Sequence, residues 1–402
     1  MKKNLNVPYI LVQVLFNAIY LGVAGFASVF LTYAGFSDAL IGTVVSAATI
    51  ISIIIQPIIG NIVDNSKFLT EKKMNIFMIG FTLICAVILL AFPKSMFMTG
   101  AAYIIMTCCL TMEIAFSVAL GFAHISRGAK INFSLARGLG SLGYSAASFG
   151  LGKLVGAMGE GVILPFVIVC CILGIVVVCF FPEIGKNTAE TGEKKEIKKE
   201  SLIAFAKKNK RFMLFVVATL LVFYSHMIHA TYLYQITLNI GGDAEQFATI
   251  ASVCALIELP AMAVAPALMK RFNLKKLLVF SAAFFVIKLV IFGLARDITL
   301  IWVGTMLQMF SFAWFTPFSN YYVNYITKKE ENNTAQSLLN FGREGATILA
   351  ALIGGIMLTL SNGDPQGMCW SGAIISAIGV IMMAIVAQDV GVRPVDSNEI
   401  KE

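Results

Sequence analysis

The sequence predicts an all-α membrane protein, with twelve transmembrane helices forming two pseudo-symmetric six-helix bundles. Three observations carry that prediction. Of 402 residues, 58% are hydrophobic and 13% charged, and mean hydropathy is +0.84, a composition incompatible with a water-soluble globule built on one core. The apolar residues gather into runs of about 20, the length that crosses ~30 Å of hydrocarbon. One strongly polar stretch, 183–210, divides those runs six and six.

In chain order the runs span 8–33, 39–62, 73–92, 96–122, 133–158, 161–182, 211–237, 246–269, 275–296, 298–326, 336–360 and 366–388. The first follows Lys2 and Lys3, is too long for a secretory h-region and lacks a small-residue cleavage pattern, so it is expected to remain as the first helix. The expected organisation is an N-terminal bundle over 1–183, a linker over 184–210, a C-terminal bundle over 211–390 and a tail over 391–402. An internal repeat supports it: Pro57, Lys67, Lys72 and Lys73 recur as Pro260, Lys270, Lys275 and Lys276, each 203 residues later, close to half the chain. A duplicated six-helix unit with its substrate site at the interface of the halves is a secondary-transporter plan.

Charge gives orientation. Lys2, Lys3, Lys67, Lys72, Lys73, Arg127, Lys130, the 186–211 segment, Lys270, Arg271, Lys275, Lys276, Lys328 and Lys329 fall on alternate loops, whereas the only basic residues of the opposite loops are Lys94 and Arg296, beside Asp38, Glu160, Asp243, Glu245, Asp297 and Asp364. By the positive-inside rule both termini are expected on the cytoplasmic side of the cell membrane. The net charge of +8 follows from that asymmetry and gives no case for nucleic-acid binding. Eight cysteines lie almost entirely within the apolar runs without metal-type spacing, and are expected to be free thiols packed as small hydrophobes. No metal site and no cofactor is expected.

Seven charged side chains stand inside the runs: Glu113, Arg137, Lys153, Glu258, Lys288, Arg343 and Glu344. A charge at the centre of a membrane helix costs roughly 2.5 to 3.5 kcal/mol on insertion scales, so such residues face a bundle interior or a wet cavity and mark a substrate or ion route.

The segment Gln56-Pro57-Ile58-Ile59-Gly60-Asn61-Ile62-Val63-Asp64, with Gly42 upstream, resembles the signature of the major facilitator superfamily in the form used by its lactose-permease-like oligosaccharide:proton symporter family. The loop beyond Asp64 departs from the pattern, lacking the usual Gly-Arg-Lys run. In run five, Ala136-Arg137-Gly138-Leu139-Gly140-Ser141-Leu142-Gly143-Tyr144 resembles the segment whose arginine hydrogen-bonds the sugar and whose aromatic stacks on it. The resemblance assigns those roles to Arg137 and Tyr144. A guanidinium fork can bind two hydroxyls at once, an aromatic face covers the apolar side of a pyranose, and the spacing of seven puts both residues on one helix face.

In the second half, Ala265 to Lys275 resembles the family's loop between runs eight and nine, which places Lys288 at its intramembrane arginine; Glu258-Leu259-Pro260 resembles its Glu-x-Pro element. Glu258 lies about twelve residues into run eight and Lys288 about thirteen into run nine, so at 1.5 Å per residue their depths agree within a few ångströms. Glu258 is therefore the candidate proton-carrying carboxyl with Lys288 beside it, the alternative being a static ion pair that fixes packing. Run ten lacks the family's coupling histidine and acid; Gln308 and Ser311 occupy those places. Glu344, next to Arg343 in run eleven, is the candidate replacement, or else the two simply neutralise one another.

Run seven holds His226 and His229, which share a helix face and can relay protons near neutrality or line a cavity. Tyr232, Gln235 and Asn340 are candidate hydroxyl-recognition groups. Glu113 lies six residues from Ala119, where the resemblance would place a sugar-binding acid, and is a candidate cavity carboxyl on its depth alone. Lys153 is expected to snorkel to the headgroups.

The expected function is proton-coupled uptake of a sugar, an oligosaccharide or glycoside, by a monomer working through alternating access in the bilayer. Uptake rests on the resemblance. A proton-coupled exporter of drugs or metabolites with the same fold is the main alternative, and a polytopic membrane enzyme the remote one, since no nucleophile or metal constellation is visible.

Overall fold

The computed structural model describes residues 4–66, 68–92, 95–183, 202–328 and 331–392. Most of the expected linker, the tail from 393, and Lys2, Lys3, Lys67, Lys94 and Lys329 lie outside the described residues. The helices are α1 (Asn6–Tyr20), α2 (Ala27–Tyr33), α3 (Asp38–Asn65), α4 (Glu71–Ala91), α5 (Met96–Ile125), α6 (Phe133–Met158), α7 (Ile163–Cys179), α8 (Leu202–Lys208), α9 (Lys210–Asn239), α10 (Ala244–Met269), α11 (Leu274–Leu294), α12 (Ile298–Met306), α13 (Phe312–Ile326), α14 (Asn332–Leu360) and α15 (Gln366–Val386). Among the described residues, eleven spans are long and apolar enough to cross a membrane. The one remaining predicted run, α6, falls short of that apolarity over its best stretch because of its glycines, serines, Arg137 and Lys153.

Caps place several helix starts where the sequence suggests. Asn132 accepts from the Leu135 N–H at 3.0 Å to open α6, Asn273 accepts from Lys275 and Lys276 to open α11, and Asp297 accepts from Thr299 and Leu300 to open α12. Interior prolines, Pro57 in α3, Pro260 and Pro266 in α10 and Pro317 in α13, leave their helices continuous, as packed membrane helices allow.

Two runs expected as single helices are broken. The first contains a π-turn over Leu21–Gly25 between α1 and α2. The tenth contains a 3-10 turn over Leu307–Met309 between α12 and α13, followed by Ser311 at φ −83° and ψ −95°. Both stretches are apolar and of ordinary spanning length, so hydropathy cannot reveal the irregular turn within them; such turns concentrate at functional positions.

The chain forms two compact units. Unit 1 comprises residues 1–198 with 243–255, and unit 2 comprises 199–242 with 256–402, so α10 contributes its first half to unit 1. In unit 1, α1 lies against α6 and α7, and α5 against α3 and α4. Close approach of α1 and α6 depends on missing side chains: a Cβ on Gly140 would come within 2.9 Å of the Asn17 amide nitrogen, and one on Gly143 within 2.9 Å of Val14.

The first half of α10 packs on α6 in the same way. Ser148 donates to the Ala248 carbonyl at 3.0 Å, and a Cβ on Gly152 would fall 2.3 Å from that of Ala248. One turn on, Lys153 pairs with Glu245. This corrects the expectation that Lys153 only snorkels: its ammonium has a carboxylate partner, which hydropathy could not indicate because Glu245 is 92 residues away.

Unit 2 is organised on α9, which packs against α11, α14 and α15 around Phe215, Phe285, Phe315, Phe318 and Tyr322. All eight cysteines are free, and all but Cys179 are buried.

Candidate functional site

In unit 1 a cavity of about 180 Å³ is lined by Gln13, Phe16, Asn17 and Tyr20 of α1, Ile114 and Ser117 of α5, and Arg137 and Ser141 of α6. Its α1 wall follows from the sequence: positions 13, 17 and 20 recur at helical spacing and put three polar side chains on one stripe. That stripe is fixed from behind. Gln13 donates to the Tyr9 hydroxyl at 3.2 Å, Tyr9 donates to the Ser117 carbonyl at 3.2 Å, and Asn17 donates to the Gln13 carbonyl at 2.8 Å. Arg137 is exposed, so the cavity offers a five-donor guanidinium beside two amides, three hydroxyls and two aromatic rings. That is the equipment to bind a hydroxylated solute.

Tyr144 is half-buried outside the cavity's wall, its hydroxyl 2.8 Å from where a Cβ on Gly25 would stand. Glu113 is deeper still. It is 1% exposed and neither carboxylate oxygen has a hydrogen-bond partner. It does not line the cavity, although its neighbours Ile114 and Ser117 do.

In unit 2 the structure joins the two charges that the sequence places at one depth. Lys288, fully buried, donates to Gln308 Oε1 at 2.8 Å, and Gln308 Nε2 donates to Glu258 Oε1 at 2.8 Å. The 3-10 turn between α12 and α13 carries Gln308 into this position. A primary amide suits it, because it presents an acceptor to the ammonium and a donor to the carboxylate at the same time. Nearby, Trp314 donates to the Ala261 carbonyl at 3.0 Å and holds α13 against α10.

The paired histidines are enclosed by aromatic rings. His226 stacks on Phe312 at 4.2 Å between centroids, and His229 stacks on Phe292 at 5.3 Å. His226 Nδ1 and both ring nitrogens of His229 have no hydrogen-bond partner. Arg343 is held by α13, donating to Ser319 Oγ at 2.7 Å and Asn320 Oδ1 at 2.9 Å, with its guanidinium over the Phe223 ring. Asn340 accepts from Arg343 at 3.2 Å. Glu344, beside Arg343 in α14, is exposed. Tyr232 is fully buried and donates to the Ala351 carbonyl, an anchor between α9 and α14 instead of a cavity wall. Gln235 is also buried.

A larger cavity, about 360 Å³, lies in unit 2 at the start of α9 among Lys207, Lys210, Arg211 and the Lys208–Glu331 pair. It is remote along α9 from the histidines and shares no residue with the buried chain.

A model of the MFS_1-like family matches residues 10–365. The chain belongs to that family, within the major facilitator superfamily. It is a transporter family and not an enzyme family. No protein of curated function matches the sequence. Among solved structures, this MFS_1-like chain is similar to nucleoside transporter NupG, with a TM-score of 0.80 at 17% identity over 95% of this chain and 99% of that one. It is also similar to a D-xylose-proton symporter, with a TM-score of 0.70 at 13% identity over 96% and 98%, and to a POT family transporter, with a TM-score of 0.70 at 10% identity over 94% of each. These likenesses establish the major facilitator fold.

Within that fold, the MFS_1-like chain's most informative polar residue, Gln308, is one that sequence reasoning noted only as a stand-in for a histidine. Its signal was available: a glutamine in an apolar run at the depth of an acid and a base is the side chain best able to bridge them.

Proposed function

We propose that this MFS_1-like protein is a proton-coupled symporter for a sugar or glycoside, working by alternating access as a monomer with both termini in the cytoplasm. The observation that carries the reading is the Lys288–Gln308–Glu258 chain. A carboxyl that can take up or release a proton is tied through one neutral amide to a buried ammonium, so a proton gained or lost at Glu258 changes what Gln308 and Lys288 can bond to. The Arg137 cavity supports the choice of a polyhydroxylated solute. The sugar and nucleoside transporters of similar fold direct the substrate panel, a nucleoside being an N-glycoside.

The test is uptake into proteoliposomes under an imposed proton gradient, with D-xylose, disaccharides, β-glycosides and uridine as probes. External alkalinisation on adding one probe, together with its accumulation, is the expected result. If none produces alkalinisation and the protein instead extrudes dyes, the symport reading is wrong. Glu258→Gln is expected to retain substrate exchange while losing proton-driven accumulation.

A further inference from the structure

We infer that Glu113 is a second exchangeable proton-binding site of the transport cycle, located in unit 1 and separate from the Glu258 chain of unit 2. It rests on the proton-coupled reading only for its role, since proton exchange at this carboxyl can be measured without any substrate.

The side chain sits midway along α5 at 1% exposure with both oxygens lacking partners. The ionisable groups that interact with it are thiols, Cys109 one turn earlier and Cys171 on α7. Cys85 of α4 lies beside Cys109. None of the helices packed in this region supplies a countercharge. The described part of α1 carries Tyr9 and Tyr20 but no charge, α3 has none between Asp38 and Asp64, α4 has its Glu71, Lys72 and Lys73 confined to the first turn, and α7 has none. A lone carboxylate is not tolerated in such surroundings, whereas a carboxyl carrying its proton is. A packing role alone would be better served by an apolar side chain of similar volume.

The surroundings also provide a way for the proton to leave. Ile114 and Ser117 line the Arg137 cavity, and Ser117 lies one turn along the face of α5 that carries Glu113. The carboxyl is therefore about one turn, ~5.4 Å, behind a cavity wall. Deepening of that cavity would bring water to Glu113, and the nearest cation on its rim is Arg137. The step is simple, carboxylate plus proton giving carboxylic acid, and needs no other reactant.

Infrared difference spectra of the full-length protein in liposomes, recorded over as wide a pH series as the protein tolerates, read the carboxylic-acid C=O stretch directly. Glu113→Gln is expected to delete one titrating band and Glu258→Gln a different one. Should Glu113→Gln fold poorly, Glu113→Asp is expected to shift the same band. A wild-type spectrum unchanged by either Glu113 substitution overturns the proposal. If Glu258→Gln deletes nothing while Glu113→Gln deletes a band, the Glu258 reading fails and Glu113 stands. To tie exchange to the cycle, the oxidised Ser145→Cys/Ser252→Cys protein, held as in this structure, is expected to lose the Glu113 titration; persistence of the band's pH response in that locked form removes Glu113 from the cycle.

Discussion

Ser145 on α6 and Ser252 on α10 bond reciprocally: each hydroxyl donates to the other's backbone carbonyl, at 2.9 and 2.8 Å, and the two oxygens are themselves 2.9 Å apart. Together with Ser148, Gly152 and the Lys153–Glu245 pair, they form a continuous seam of small and polar contacts within unit 1. A membrane seam made of hydroxyls is held by bonds averaging only about 0.6 kcal/mol each, weak enough to part during turnover.

Cysteines at these two positions stand close enough for a disulfide. Oxidation of Ser145→Cys/Ser252→Cys is expected to reduce transport by about tenfold or more, as arrest of a gating motion does, with recovery on reduction. Radiolabelled uptake before and after dithiothreitol checks this, and undiminished uptake by a protein shown by mass spectrometry to be cross-linked would count against it.

Lys288→Met should be more damaging to stability than Glu258→Gln/Lys288→Met together. The single change removes the cation from which Gln308 accepts and which faces the Glu258 carboxyl through it, a loss on the order of 1 to 3 kcal/mol for a buried acceptor left unsatisfied, while neutralising both members removes the uncompensated charge. Thermal unfolding in detergent gives the ranking. Gln308→Leu, which cuts the bridge, is expected to cost about 1 to 3 kcal/mol.

Arg137→Ala is predicted to abolish both exchange and net transport, in contrast to Glu258→Gln. Arg137→Lys should rescue neither, because a point ammonium cannot reproduce the planar fork. Equilibrium exchange measurements separate the two variants.

Gly152→Val places branched carbon where even a Cβ would lie 2.3 Å from that of Ala248. Overpacking of this kind costs typically 1 to 3 kcal/mol, so reduced folded yield by size-exclusion profile is expected, with Gly150→Val, whose Cβ would meet nothing within 4 Å, as the tolerated control.

Beyond the last membrane helix, Asp389 accepts from the Asn273 side chain and from the Gly391 N–H at 2.9 Å, and these bonds hold its carboxyl below the ordinary aspartate range. A depressed folded value means the contribution is present above the unfolded pKa of about 3.9 and disappears as pH falls through the folded value. Asp389→Asn is therefore expected to lower the melting temperature slightly at neutral pH, with the difference from wild type shrinking as pH falls below about 3.9.

Eleven of the twelve expected crossings were legible because each has its own apolar run, and the matched depths of Glu258 and Lys288 were legible because rise per residue is fixed. What bridges them was not, since depth along one helix says nothing of azimuth on another. Arg137 could be read as a candidate ligand from a local motif, and it lines a cavity of unit 1. The isolation of Glu113 depended on what α1, α3, α4 and α7 do not carry, which becomes meaningful only once their packing is known. Tyr232 and Glu344 show the converse: polar residues at the right depth, turned by the helix toward an anchoring carbonyl in one case and toward exposure in the other.

The low apolarity of α6 has a consequence for biogenesis. Arg137, one turn inside the nascent segment, and Lys153 toward its far end both add to the work of partitioning into lipid, and this segment, rich in glycine and serine, has few large apolar residues to offset them. The helix that carries Arg137 is thus the one least able to enter the bilayer alone, and it relies on α1, already inserted, to receive it through Gly140 and Gly143. Changes at those glycines should surface first at the translocon, as a fraction of chains in which α7 is inserted in the wrong orientation, before any defect in solute binding can be seen.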